Sequence, residues 1–129
     1  MRPNEVSYKV IGAAMAVHSA LGPGLLESAY EKALAHELTR RKLQYRRQVR
    51  LPVDYDGVKL SPAYKIDFIV ENCVVVEIKA VEKVLPVHRT QLLSYLKLAK
   101  LPLGLLINFK VPHMRQGIHR QINAPENEL

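Results

Sequence analysis

Asp67 precedes the triplet Glu77-Ile78-Lys79, and both lie in runs that read as β-strands. In a strand, residues two apart share a face. Glu77 and Lys79 therefore point one way, and Ile78 points with Val74 and Val76 into the opposite layer. If the two strands form a hairpin, a three-residue loop Glu71-Asn72-Cys73 pairs Asp67 with Glu77 on one face. A two-residue loop would pair Asp67 with Ile78 and split the carboxylates. Asn72 can adopt the left-handed backbone that the longer loop needs. By itself, E-x-K after an Asp is most often a solvated strand face with an ordinary Glu–Lys pair. Here Val74-Val75-Val76 is apolar on both faces, so this strand is expected in the centre of a sheet with its polar residues under cover. Covered carboxylates need a cation to relieve their repulsion, and hard oxygen ligands select Mg²⁺ or Mn²⁺. Such an ion lowers the pKa of its bound water and offsets charge on a phosphate, which suits phosphodiester hydrolysis. Asp67, Glu77 and the backbone carbonyl of Ile78 would be its ligands. Lys79 would orient the water or stabilise the developing negative charge.

The elements that must position these groups follow from periodicity. From Glu5 to Leu21, the residues Val6, Val10, Ala13, Val17 and Leu21 recur at helical steps, and Gly22-Pro23-Gly24 ends that helix. Leu26, Tyr30, Leu34 and Leu38 predict a second helix ending near Lys42. Val49, Leu51 and Val53 alternate with polar residues in a strand over Gln44–Tyr55, and Pro52 suggests an edge position. Asp56-Gly57 is a hairpin signal, with Val58–Leu60 as a short return arm. Lys65–Glu71 and Val74–Ala80 are two further strands. Pro86 opens a third helix over Val87–Lys100, with Leu92, Leu96 and Ala99 inward. Leu103–Phe109 reads as a buried strand, and 113–129 as a tail of short helix or loop. The expected architecture is an α/β sandwich around one mixed central sheet flanked by helices, in a single domain over 1–129.

With 129 residues, 48% of them hydrophobic, the chain can bury one core and has no room for a second folding unit. Nineteen Lys and Arg against 12 Asp and Glu give a formal charge of +7, which favours polyanions as partners. A single cysteine, Cys73, excludes an internal disulfide and points to a reduced, cytoplasmic setting. The apolar run Ile11–Val17 is too short for a membrane span of about 20 residues. The expected partner is nucleic acid, DNA or RNA, and not a membrane. An exposed edge strand also leaves homodimerisation open, through Arg50–Asp54 or through a helix face.

Further motifs carry a resemblance. Gly24-Leu-Leu-Glu27-Ser-Ala-Tyr30 matches the signature of the GxxExxY proteins, a branch of the PD-(D/E)XK nuclease superfamily. The similarity runs from about Val10 to Asn123. It includes Asp67, Glu77-Ile-Lys79, Gln91-Leu-Leu-Ser-Tyr95 and Gly104-Leu-Leu-Ile-Asn108-Phe109. The resemblance implies a restriction-endonuclease-like fold and a Mg²⁺- or Mn²⁺-dependent nuclease. Glu27 resembles the helix glutamate that helps to hold or orient the metal, and Asp67, Glu77 and Lys79 resemble the core motif. Gln91 and Tyr95 resemble a Q-x-x-x-Y motif bordering the nucleic-acid channel, with Tyr30 and Lys65 beside them on the substrate side. Two departures stand out: Ile66 occupies the position of the motif's proline, and Lys65 stands where many relatives carry Arg.

Plainer readings exist for several of these residues. Glu27 in the first turn of a helix is favoured by the helix dipole alone. Tyr30 is a natural core residue with its hydroxyl turned to the site. The acid-free basic set Arg40, Arg41, Lys42, Arg46, Arg47 and Arg50 is as readily a solvated face as a nucleic-acid footprint. His18 reads as a capping or packing residue. The alternative to a nuclease is a catalytically inactive nuclease-fold module that binds nucleic acid or acts as a scaffold.

Overall fold

The computed structural model describes residues 1–60 and 64–129. The chain forms helices α1 (Pro3–Leu21) and α2 (Glu27–Arg40), strands β1 (Tyr45–Tyr55), β2 (Val58–Val70) and β3 (Val74–Lys79), helix α3 (Pro86–Ala99), then strands β4 (Leu103–Asn108) and β5 (Ile118–Ile122). The five strands lie side by side in chain order. Only β3 and β4 are parallel, joined by α3, so the sheet is mixed. β1 is an edge strand, as Pro52 suggests, and β3 is central, as its valines require.

Two apolar layers sandwich the sheet. On one face Val6, Val10, Ala13, Ala14 and Val17 of α1 and Tyr30, Leu34 and Leu38 of α2 pack on Phe68, Val70, Val74, Val76, Ile78, Leu105 and Ile107. On the other, Leu92, Tyr95 and Leu96 of α3 pack on Ile66, Ile69, Val75 and Leu106. Gly104 lets α3 approach, since a Cβ there would lie 2.9 Å from Leu92 Cδ1. Leu21, expected on the buried face of α1, is exposed instead, because it falls in the last turn beyond the sheet.

The turns follow their residues. Gly22 takes a φ of 72° at the end of α1 and donates its N–H to the His18 carbonyl. Asp56 and Gly57 both have positive φ, the two-residue turn that matches strand twist.

Two expectations need correcting. Val58–Leu60 and Lys65–Glu71 are parts of one strand, β2, not separate strands. The alternation lapses in the sequence between them, yet pairing with β1 holds on both sides, with a register shift between Leu51 and Val53. Second, 113–129 is no tail of helix or loop. Met114–Gly117 is a 3₁₀ turn, and Ile118–Ile122 pairs antiparallel with β4 as the other edge strand. The segment I-H-R-Q-I places its isoleucines four apart, a helical spacing, and the open edge of β4 decides for the strand. No helix among the described residues is long and apolar enough to cross a membrane.

Candidate active site

The hairpin between β2 and β3 sets the register of the acids. Val70 pairs with Val74, Ile69 with Val75 and Phe68 with Val76, across the loop Glu71-Asn72-Cys73. Both Glu71 and Asn72 have positive φ. The same register carried one step further puts Asp67 opposite Glu77. The strand ladder ends there, and side chains take over. Asp67 N–H donates to Glu77 Oε1 at 3.1 Å, and Ile78 N–H donates to Asp67 Oδ2 at 2.8 Å. The two carboxyl groups thus fill the gap where β2 and β3 part.

The neighbouring pair of strands is disturbed at the same level. Tyr45 and Phe68 pack towards α1 and α2, whereas Val49, Leu51 and Ile66 pack towards α3. These residues are separated by even steps, so the alternation of faces breaks between them. The break lies at Gln48, whose φ is 49°, and at Asp67; neither joins the β1–β2 ladder, although Arg47 pairs with Phe68 and Val49 with Ile66. This fault lets Asp67 reach the fork between β2 and β3.

Burial and mutual repulsion govern the charges. Glu77 is only 8% exposed. Desolvation first, and the Asp67 charge second, push its carboxyl up to about 9, so it holds its proton at neutral pH. Asp67 is also raised, chiefly by burial, with the Ile78 N–H pulling the other way. Glu27, exposed at the start of α2, is raised by partial desolvation; Lys79 opposes the shift and Asp67 adds to it. Glu27 and Glu77 thus each feel the charges of Asp67 and Lys79. Lys79 forms no ion pair among the described residues, whose four pairs involve other groups. Its backbone is pinned by Phe109 N–H at 2.9 Å, and the buried Asn108 amide clamps both N–H and C=O of Val81 just beyond.

The remaining candidates divide. Tyr95 is 7% exposed, and burial, with the Glu77 charge next, pushes its phenol up to about 12. Gln91 is exposed on α3, one turn nearer its start. Lys65 is exposed, pairs with Arg50 across the β1–β2 ribbon, and forms no ion pair among the described residues. Tyr30 corrects an expectation, because it is wholly buried and out of reach of a substrate. Its hydroxyl donates to the Gly22 carbonyl and accepts from Leu25 N–H, and its ring stacks on Phe109 at 4.5 Å. It ties down the loop that leads into Glu27. Tyr30→Phe should cost about 1 kcal/mol in urea unfolding, since the part-buried Leu25 N–H and Gly22 carbonyl bonds lose their partner. An unchanged midpoint would show that this loop is held by something else.

Half of the basic run is engaged in ion pairs. Arg40 and Arg41 pair with Glu37, and Arg47 pairs with Glu31 at 2.7 Å. His18 is buried, with Nε2 donating to the Val111 carbonyl at 2.8 Å, as a packing residue would.

Sequence reasoning missed Glu31 and Gln48. Glu31 accepts from Gln48 Nε2 at 2.7 Å, and the same amide nitrogen lies 3.4 Å from Asp67 Oδ1. Glu31 was findable: it follows Glu27 by one helical turn and so shares its face. Nothing in a strand-like stretch marks Gln48 for a left-handed backbone.

Among the described residues no group of three or more Asp, Glu, His or Cys side chains stands ready to hold a metal ion. The donor chemistry nonetheless fits a hard divalent cation. A buried Glu77 carboxyl and a half-buried Asp67 carboxyl lie side by side, the first held neutral chiefly by desolvation and then by the Asp67 charge.

A mixed sheet with helices on both faces, and an acid pair where two central strands part, defines a restriction-endonuclease-like α/β fold. The chain belongs to the PD-(D/E)XK nuclease superfamily, whose family model matches residues 4–121. The crystal structure of a protein designated SSO0001 is similar in fold, with a TM-score of 0.53 and 24% identity over 98% of this chain. This chain spans 64% of that protein's length. No curated protein matches it.

Proposed function

We propose that the chain is a Mg²⁺- or Mn²⁺-dependent nuclease of the GxxExxY branch, a single nuclease domain that hydrolyses phosphodiester bonds of DNA or RNA. The observation that supports this most is the Asp67–Glu77 pair at the strand fork, with Glu77 buried, Lys79 acting on both acids and Glu27 sensing Asp67. A carboxyl kept neutral by burial and by a neighbouring carboxylate is a ligand waiting for charge compensation. Asp67, Glu77 and the Ile78 carbonyl would hold the cation, with Glu27 joining from the start of α2. The bound ion would supply a more acidic water and a counter-charge for the phosphate. Lys79, which forms no ion pair among the described residues, would orient the attacking water and steady negative charge on the phosphoryl oxygens. Tyr95 keeps its proton throughout the physiological range and can donate a hydrogen bond to a phosphate oxygen. Gln91 and Lys65 lie further out, where they would meet the nucleic-acid backbone.

Labelled single- and double-stranded DNA and RNA, with and without Mn²⁺, test the proposal. Cleavage should require the cation, and Lys79→Ala should slow it by about 10²–10³-fold. Cleavage that survives both EDTA and Lys79→Ala would belong to another site or another protein.

One observation favours the alternative, an inactive module. Both acids already bond strand N–H groups, a sufficient structural role. Calorimetry that finds no divalent-ion binding to folded protein would decide for it.

A further inference from the structure

The site holds one residue whose backbone and side chain both depart from what its strand requires. Gln48 lies in β1 with a φ of 49°, a left-handed conformation that non-glycine residues rarely adopt. The departure removes it from the ladder opposite Asp67, leaving Asp67 N–H to bond Glu77 instead. It also delivers the Gln48 amide to two carboxylates at once. The two hydrogens of Nε2 suit two acceptors, Glu31 Oε1 at 2.7 Å and Asp67 Oδ1 at 3.4 Å.

Glu31 is itself anchored. Arg47 donates to its other oxygen at 2.7 Å, and the Arg47 guanidinium sits 5.8 Å from the centroid of the Phe68 ring. A chain of contacts thus runs from Phe68 through Arg47, Glu31 and Gln48 to Asp67. Asp67 is gripped at both oxygens, by Ile78 N–H on Oδ2 and by the Gln48 amide on Oδ1.

We infer that Gln48 is a positioning residue that aims the Asp67 carboxylate at the cation site, and that Glu31 and Arg47 hold Gln48 for that purpose. The inference rests on the proposed cation-dependent reading of the site. The residue type matters. A neutral amide can fix a carboxylate without neutralising it, whereas Lys or Arg in its place would compete with a divalent ion for the same charge. A carboxylate at position 48 would repel both Glu31 and Asp67. Asn tolerates the backbone but is one methylene too short to span both acceptors. Gln meets the requirements of length and charge, at the expense of a backbone it would not otherwise choose.

Gln48→Gly separates positioning from folding, because glycine accepts the left-handed backbone while removing the amide. The variant should unfold in EDTA at a Tm no lower than that of the parent chain. Its Mn²⁺ affinity by calorimetry should fall about 10- to 100-fold, the usual effect of deleting a partner of a metal ligand. A second reading needs no metal. The Ile78 amide is protected by Asp67 Oδ2, so in the metal-free variant its hydrogen exchange should speed up about tenfold, while the Val75 amide stays as it was. Unchanged Mn²⁺ affinity together with unchanged Ile78 exchange would overturn the inference. If the parent chain binds no Mn²⁺, the nuclease reading fails, and Ile78 exchange alone still decides whether Gln48 holds Asp67.

Discussion

Glu77→Gln is expected to destroy cleavage while making the metal-free protein more stable at pH 8. The two effects share one cause. Burial and Asp67 hold the Glu77 carboxyl at about 9, so folding at pH 8 traps a proton that the unfolded chain would release. Glutamine mimics the protonated acid: its carbonyl can accept from Asp67 N–H, and its amide can donate to the Asp67 carboxylate. The distance between pH 8 and the ordinary carboxyl value of 4.5, at about 1.4 kcal/mol per unit, sets a ceiling of about 5 kcal/mol, and the imperfect fit of an amide should leave a gain on the order of 2–4 kcal/mol in EDTA. That corresponds to a Tm rise on the order of 10 °C. Cleavage should fall by at least about 10³-fold, because an amide cannot lend a negative charge to a cation. Unfolding curves for parent and variant at pH 8, with a cleavage assay on the same samples, settle it. A variant that loses both stability and activity would mean that Glu77 is ionised in the folded chain.

The second expectation concerns pH and divalent ions together. Glu77, Asp67 and Glu27 are all shifted upward in the folded state. For a raised acid, the folded chain keeps its proton after the unfolded chain has lost it. The stabilisation is complete below about pH 4.5 and is lost as pH climbs towards about 9, the folded value for Glu77. Metal-free protein should therefore become steadily less stable between those limits. Mn²⁺ should reverse the trend, since it binds only the ionised acids and must displace the Glu77 proton. At 100 times its dissociation constant it should add about 2.7 kcal/mol, and more of its effect should develop at pH 8 than at pH 6. Calorimetry in buffers of different ionisation enthalpy should show close to one proton released per ion near neutral pH. Zero proton release would place the cation away from Glu77.

Most of the fold was legible because its signals are redundant. The apolar faces of α1 and α2, the glycine at the end of α1, the valines of β3 and the Asp-Gly turn each specify their own element. Strand β5 was not legible. Its two isoleucines fit a helix as well as a strand, and only the vacant edge of β4, a tertiary fact, selects between them. The expected register of Asp67 against Glu77 came from loop length, and Asn72 takes the backbone that length demands. Gln48 was beyond sequence reasoning, because a left-handed residue inside a strand obeys no periodicity. Tyr30 was legible in part: its place in the core was expected, its hydrogen-bond partners were not. Its place in a motif suggested contact with a substrate, whereas its hydroxyl is committed to Gly22 and Leu25.

The acid pair also stands in for two missing backbone bonds between central strands, which bears on how such a chain can change through evolution. Deleting either acid opens the middle of the sheet as well as ending any reaction. A descendant that no longer needed to cut anything would still be under pressure to keep these two side chains, or amides of the same shape. Retention of the acids down a lineage would then report on sheet integrity, and loss of Lys79, which carries no such duty, would be the earlier mark of abandoned chemistry.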